Sequence, residues 1–212
     1  GNVFCVTTPK HTYEARAVIV ATGSKNRPLG VEGEDKLVGR GVSYCATCDG
    51  NFYRNKVVAV VGGGNTALED ALYLAGVCNK VYLVVRKNYF RGQEALQQRV
   101  RARENIEILF ETRITAVHGE NAVSGITLAT PEGDKELALS GIFVAIGLSP
   151  APELYQDVVD VTPEGYILTD ENMRTSNPLI FAAGDIRSKE IRQIVTALGD
   201  GAIAAEIAGR SL

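Results

Sequence analysis

Cys45-Ala46-Thr47-Cys48-Asp49 sets two thiols two residues apart, with a carboxyl directly after the second. That spacing lets the sulfurs close a small ring, and each thiolate is stabilised by its neighbour's S–H. An adjacent acid can deliver or collect the proton that thiol exchange requires. The group is a minimal dithiol/disulfide redox centre. Half of a zinc site would look the same, but structural zinc needs four ligands, usually from a second close pair. Here Cys5 and Cys78 are isolated, and His11 and His118 lie far apart in sequence. Two inert core cysteines are the remaining reading, and the polar, Gly-flanked context from Tyr44 to Asn51 argues against it. Cys5 and Cys78 read as small core or surface hydrophobes without a role.

The elements that must position this pair begin just downstream. A short apolar strand, Lys56 to Val61, runs into Gly62-Gly63-Gly64-Asn65-Thr66-Ala67, which fits G-x-G-x-x-A. The first glycine allows the tight turn, the second lets the backbone approach a pyrophosphate, and the small Ala67 lets a helix pack close to its strand. Ala67, Leu68, Ala71, Leu72, Leu74 and Ala75 then form an apolar stripe of helical period. The N-terminal N–H groups of that helix would face phosphates. A glycine match alone is weak evidence, but strand, turn, helix and a second strand (Lys80 to Val85) follow in order. The second strand ends in Val85-Arg86-Lys87, where an NAD-type fold carries an acid for the ribose hydroxyls. Arg86, Lys87 and Arg91 instead match a 2′-phosphate dianion, which favours NADPH over NADH. A solvated basic loop is the plainer reading, with Arg99, Arg101 and Arg103 in the following helix. Position at the strand end favours the functional one.

Composition sets bounds. With 45% hydrophobic residues and 22 glycines in 212, an α/β protein with an ample core is expected. A net charge of −3 gives no basic excess and points away from nucleic acid. Apolar runs such as Ala17–Ala21 and Val57–Val61 fall far short of the about 18 residues that span a bilayer, so no membrane association is expected. The chain opens in an extended, alternating segment, which does not read as a signal peptide. Four cysteines in this length do not make a secreted disulfide framework, and a cytoplasmic redox pair is expected.

Two stretches resemble one another. Val6-Thr7-Thr8-Pro9-Lys10 followed by Ala17 to Gly23 parallels Leu128-Ala129-Thr130-Pro131-Glu132 followed by Gly141 to Gly147. Each reads as a strand, a Pro-bearing turn, a polar return strand and an apolar strand ending in Gly. Pro-containing linkers come next, Ser24 to Pro28 and Leu148 to Pro152. They read as closing segments of two related dinucleotide domains. The second opens at Gly62, while no residues before Gly1 supply a fingerprint for the first. The chain therefore reads as the C-terminal part of a longer protein. Further on, Leu179 to Asp185 is an apolar strand delivering an acid into a loop. Arg192-Gln193-Ile194 and the Ala- and Gly-rich residues to Leu212 carry helical spacing. A helix N-terminus there would stabilise a reduced, anionic flavin, or the segment is an ordinary small-residue helix packed on a sheet.

Taken in this order, Cys-Ala-Thr-Cys-Asp, Gly-Gly-Gly-Asn-Thr-Ala, Arg-Lys-x-x-x-Arg, Phe-Ala-Ala-Gly-Asp and Arg-Gln resemble the low-molecular-weight thioredoxin reductases over the whole chain. The resemblance implies a two-dinucleotide-binding-domain α/β flavoprotein, with a partial Rossmann-like FAD domain (residues 1–27 and 149–212) interrupted by an inserted NADPH domain (28–148) carrying the dithiol. Cys48 would be the thiol nearer the flavin, Cys45 the outer thiol that attacks thioredoxin, and Asp49 the proton donor and acceptor. Gly62, Gly64, Asn65, Thr66 and Ala67 would cradle the NADPH pyrophosphate, with Arg86, Lys87 and Arg91 on the 2′-phosphate. Thr22, Gly23, Gly184 and Asp185 would hold FAD, Asp185 near its ribityl-phosphate region, and Arg192, Gln193 and Ile194 would meet the isoalloxazine edge. Where this chain has Val85-Arg86-Lys87 the family often has His-Arg-Arg, so the loss of one bidentate fork softens the NADPH preference.

The implied chemistry is hydride transfer from NADPH to FAD, electron transfer to Cys45–Cys48, then exchange with thioredoxin. The insert would swing on the two linkers so that one flavin meets both sites. A homodimer is expected from the resemblance. A chain of only these residues is expected to hold FAD poorly and to show little activity. Three alternatives stay open. A flavin oxidoreductase feeding a ferredoxin is opposed by the Cys-x-x-Cys, whereas a dithiol reductase serving a peroxiredoxin or other thioredoxin-like partner would have identical site residues. The third is a non-catalytic NADPH-binding module.

Overall fold

A computed structural model of the chain describes residues 3–212. The described residues fold as two compact units, one of residues 3–25 and 148–212, the other of residues 26–147.

The chain begins in the discontinuous unit with an antiparallel hairpin, β1 (Phe4–Thr7) and β2 (Thr12–Ala15), and then β3 (Val18–Val20). It crosses within β4 (Lys25–Asn26) into the contiguous unit. There α1 (Glu34–Leu37), β5 (Val42–Ser43) and α2 (Ala46–Asp49) lead through a 3-10 turn, Gly50–Tyr53, to β6 (Val57–Val61). Next come α3 (Asn65–Ala75), β7 (Lys80–Val84), α4 (Glu94–Arg101) and β8 (Ile106–Leu109). The strands β9 (Arg113–His118), β10 (Gly125–Thr130) and β11 (Gly133–Ala138) form an antiparallel sheet before β12 (Gly141–Val144).

Five strands make a parallel sheet in the order β5-β12-β6-β7-β8. Its central strands β12 and β6 are buried on both faces and read as continuous apolar runs, and alternate residues serve opposite layers. Val58, Val60, Val81 and Leu83 pack with Ala67, Leu68, Ala71 and Leu74 of α3. Ala59, Val61, Val84 and Ile142 pack with Ile114, Val117, Ile126 and Leu128 of the antiparallel sheet. The α3 stripe expected from its period is the buried face, and the helix starts two residues earlier, at Asn65. The two strands are each one residue shorter than expected, Val57–Val61 and Lys80–Val84.

The chain returns at β13 (Leu148–Ser149), and β14 (Ile180–Ala182) pairs in parallel with β3. The last element, α5 (Ile194–Arg210), lays Ala204 and Ala208 on Phe181 and Ala183. Arg192 and Gln193 precede this helix rather than lying in it. Gln193 is the N-cap, and its N–H donates to Thr196 Oγ1 at 3.2 Å in a capping box. Both self-similar stretches fold as a hairpin followed by a strand of parallel sheet, β1-β2-β3 and β10-β11-β12. No helix among the described residues is long and apolar enough to cross a membrane.

One helical side chain is ionised against its surroundings. Burial, with the neighbouring Glu69 charge adding, pushes the Asp70 carboxyl on α3 up to about 6. A carboxyl whose folded pKa is raised gives its full contribution below about pH 4 and loses it as pH rises through 6. Asp70→Asn should therefore stabilise the chain by about 2 kcal/mol near neutrality and by almost nothing at low pH. Urea midpoints at roughly pH 4 and pH 7.5 check this; equal gains at both would refute it.

Candidate functional site

Cys45 and Cys48 are joined as a disulfide, with Cα atoms 5.3 Å apart. One turn of helix sets that distance: Cys45 is the N-cap of α2 and its sulfur accepts the Cys48 N–H at 3.2 Å. With the two sulfurs bonded to each other, neither is a free thiolate in this structure. Cys48 is exposed and Cys45 half-buried. Asp49 closes the same turn, its N–H donating to the Cys45 carbonyl at 3.1 Å.

Ser43, unremarked in the sequence, holds these groups together. Its hydroxyl donates to Asp49 Oδ2 at 2.7 Å and accepts the Cys45 N–H at 3.1 Å. The pKa of the nearby Tyr53 phenol is raised by burial and then by the Asp49 charge. Tyr53 packs edge-on against Phe143 with centroids 5.3 Å apart. Before the dithiol, Tyr44 donates to buried Glu34 at 2.9 Å. Burial, then the Glu34 hydrogen bond, push that phenol up to about 12, so it stays a donor. Phe52, in the turn after α2, is 74% exposed. The other thiols stand apart, Cys5 exposed and Cys78 buried with its thiol pushed up by burial.

The glycine turn faces a cavity of about 450 Å³, lined among others by Gly62, Gly63, Arg86, Lys87 and Arg91. Backbone hydrogen bonds tie its two sides, since Gly63 O accepts from Arg91 N at 2.7 Å and Gly92 N at 3.1 Å. The Asn65 side chain is committed to that tie, accepting the Gln93 N–H at 2.7 Å. Phe90 anchors the loop in the core against Phe110, leaving the flanking cations exposed. Ala67 is fully buried, 2.8 Å from where a Cβ on Gly62 would stand. Gly64 and Thr66 are not among the residues lining the cavity. A Cβ on Gly64 would meet nothing within 4 Å, so space for a ligand is open over the turn.

Arg113, Arg27 and Tyr89 are among the further lining residues that the motif did not single out. Arg113 arrives on the segment whose backbone bonds to 85–87, Glu111 N to Lys87 O at 3.2 Å and Thr112 N to Val85 O at 3.2 Å. Arg27 enters from the linker. Tyr89 accepts from Lys87 Nζ at 2.6 Å, and this hydrogen bond, with the Lys87 charge, lowers its phenol pKa.

In the discontinuous unit, β3 and β14 run parallel, so Thr22-Gly23 and Gly184-Asp185 leave the same end of the pair. Carboxyl ends of parallel strands are where α/β folds take nucleotides. Ala183 N donates to Val20 O at 3.0 Å and fixes the two exits side by side. Among the described residues, buried side-chain polar atoms without a partner are Ser24 Oγ, Asp185 Oδ1 and Arg192 Nε, all at these exits or just before α5. Unpaired buried polar groups are costly, and a polar ligand with hydroxyls and carbonyls would satisfy them. These residues fit a flavin nucleotide. Behind them Asp200 accepts from Gly184 N at 3.0 Å, Arg187 Nη1 at 2.8 Å and Lys189 Nζ at 2.8 Å. Burial alone would raise the Asp200 carboxyl, but the Lys189, Arg187 and Gly184 hydrogen bonds outweigh it and hold it below its ordinary value.

The model of the pyridine nucleotide-disulphide oxidoreductase family matches residues 1–201. A thioredoxin reductase of Listeria monocytogenes is 44% identical over 204 residues, covering 95% of this chain and 64% of that protein. A bifunctional thioredoxin reductase/thioredoxin of Mycobacterium leprae is 43% identical and aligns with 98% of this chain and 46% of its own length. The crystal structure of thioredoxin reductase from Streptococcus pyogenes superposes with a TM-score of 0.92 at 42% identity, covering all of this chain and 70% of that one. The chain thus spans about 64% of the Listeria relative. A bridged Cys-x-x-Cys in the same unit as a glycine-turn cavity, matched along nearly the whole chain, places it among the pyridine nucleotide-disulphide oxidoreductases and, within them, in the thioredoxin reductase family.

Proposed function

We propose that this chain supplies the dithiol, the NADPH site and part of the flavin site of an NADPH-dependent thioredoxin reductase. The observation that carries the reading is a bridged Cys45–Cys48 pair in the same unit as a cation-lined cavity over a glycine turn. Residues 28–148 are read as the NADPH domain, and 1–27 with 149–212 as the flavin domain.

Bound FAD would supply two-electron transfer between a nicotinamide hydride and a disulfide. The chain's own residues do the rest. Arg86, Lys87 and Arg91 grip the 2′-phosphate, while the turn from Gly62 through Gly64 to Ala67 brings backbone N–H groups and the α3 N-terminus to the pyrophosphate. Thr22, Gly23, Gly184 and Asp185 hold the flavin nucleotide, the unpartnered Asp185 Oδ1 taking its hydroxyls, and Arg192, Gln193 and Ile194 border the ring. Two electrons break the Cys45–Cys48 bond and leave two thiolate equivalents. The Cys45 thiolate attacks a thioredoxin disulfide, forming a mixed disulfide and releasing one partner thiolate. Cys48 then attacks Cys45, restoring the bridge and releasing the second. Asp49, set by Ser43, gives and takes the protons. Cys45 is given the attack from the family resemblance, although in this structure Cys48 is the more exposed residue. Exposed Phe52, just past the dithiol, offers thioredoxin an apolar contact. The fusion named in the Mycobacterium leprae relative supports thioredoxin as partner, and a homodimer and a cytoplasmic location are proposed from the resemblance.

The direct test is thioredoxin reduction by the protein as purified from its native cells. NADPH oxidation should require both bound flavin and thioredoxin, and oxidation indifferent to thioredoxin overturns the reading. The nucleotide site has its own test. Arg86→Ala with Lys87→Ala should weaken NADPH binding about a hundredfold and leave NADH within a few-fold, two charge-assisted bonds being lost. Equal losses for both nucleotides would move the 2′-phosphate elsewhere.

A further inference from the structure

The Gly184–Asp185 turn is held from behind by one carboxylate. Asp200 lies on α5 and is 9% exposed. Its Oδ2 accepts from the Gly184 N–H at 3.0 Å and from Lys189 Nζ at 2.8 Å, and its Oδ1 from Arg187 Nη1 at 2.8 Å. Both cations reach further. Arg187 Nε donates to Thr169 Oγ1 at 2.7 Å, and Lys189 Nζ donates to Thr196 Oγ1 at 3.1 Å in the first turn of α5. Thr196 is also the residue whose hydroxyl caps Gln193 N–H. One side chain therefore connects the turn bearing Asp185, the segment after it, and the helix start bearing Arg192, Gln193 and Ile194.

Stability alone does not call for this arrangement. Buried ion clusters are often matched or bettered by apolar packing of the same volume, and their best-attested use is to select one geometry. The turn needs such selection, because Gly184 has φ +78 and a Cβ there would meet only Ala197 Cβ, at 3.5 Å. Next to it, Asp185 Oδ1 is buried and has no partner. We propose that Asp200 is a positioning residue for the flavin, locking the Gly184–Asp185 turn to the N-terminus of α5 so that the two groups facing the flavin keep one fixed spacing. The inference rests on the flavin reading of this unit.

Asp200→Asn keeps the shape and removes the charge that two cations share. In the full chain, amide hydrogen exchange at Gly184 should quicken about tenfold or more. The dissociation constant for added FAD, read by quenching of flavin fluorescence, should rise about tenfold. Unchanged Gly184 exchange overturns the lock. Faster exchange with unaltered FAD affinity overturns the positioning role and leaves a structural one. A wild-type protein, as purified from its native cells, that protects Gly184 yet carries no FAD sinks the flavin reading, and the positioning role with it, by a result distinct from the other two. If Asp200→Asn unfolds the unit, Lys189→Met carries the same test with a roughly threefold change in each readout, and no change in either overturns the proposal.

Discussion

Replacing Cys48 by serine should trap the protein on its partner. Cys45 could still open a thioredoxin disulfide, but nothing would resolve the mixed disulfide, so a covalent complex accumulates that dithiothreitol releases. Cys45→Ser should give no such complex. Either change should lower thioredoxin reduction by roughly three or more orders of magnitude, the scale at which losing a nucleophile acts, while hydride uptake by the flavin continues. Gel analysis under non-reducing conditions separates the two thiols when the partner is a single-cysteine thioredoxin carried as a mixed disulfide with a small aromatic thiol, which leaves as a thiolate when Cys45 attacks. The opposite pattern, trapping by Cys45→Ser alone, would reverse the assigned roles and agree with the greater exposure of Cys48. Undiminished reduction by both variants would remove the dithiol from the reaction.

The glycine turn should divide into a folding position and a ligand position. At Gly62, φ is +147, and a Cβ would stand 2.4 Å from the Ala145 carbonyl oxygen and 2.8 Å from Ala67 Cβ. Ala67 is buried on α3 and Ala145 directly follows β12, so Gly62→Ala should cost about 3 kcal/mol or more, seen as a lower urea midpoint. Gly64 has φ −92 and ψ −179, open to any residue, and its Cβ would meet nothing within 4 Å. Gly64→Ala should fold within about 0.5 kcal/mol of the parent. Its methyl would instead occupy the space left over the turn, weakening NADPH about tenfold or more. Normal NADPH affinity in Gly64→Ala would show that the pyrophosphate does not lie there.

Much of this was legible because it is local. The Cys45–Cys48 spacing matches one helical turn, and the strand, glycine turn and apolar stripe between Val57 and Ala75 form one supersecondary unit. Element ends were less legible. Asn65 and Thr66 joined α3, while Gln193 became a cap because its backbone N–H found the Thr196 hydroxyl. What the chain did not disclose is long-range pairing. Arg113 reaches the Arg86–Lys87 loop only because 111–113 lies along 85–87 in the fold. The Asp200 cluster assembles across α5 and the segment from Gly184 to Lys189. A clue was present, since a lone acid in the run Ala197-Leu198-Gly199-Asp200-Gly201-Ala202 must find partners if that face is buried. Ser43 had a weaker one, as a small hydroxyl two residues before a thiol.

The pairing of β3 with β14 has a consequence for biosynthesis. The unit between them is contiguous, so all of its sheet is synthesised before Ile180 to Ala182 is made. Domains complete themselves as they emerge, and distant strand partners close slowly. The early strand must therefore wait, its edge bare, while the intervening module finishes. Slow translation or crowding should harm the split unit first, making β3 the place where a nascent chain would find the wrong neighbour.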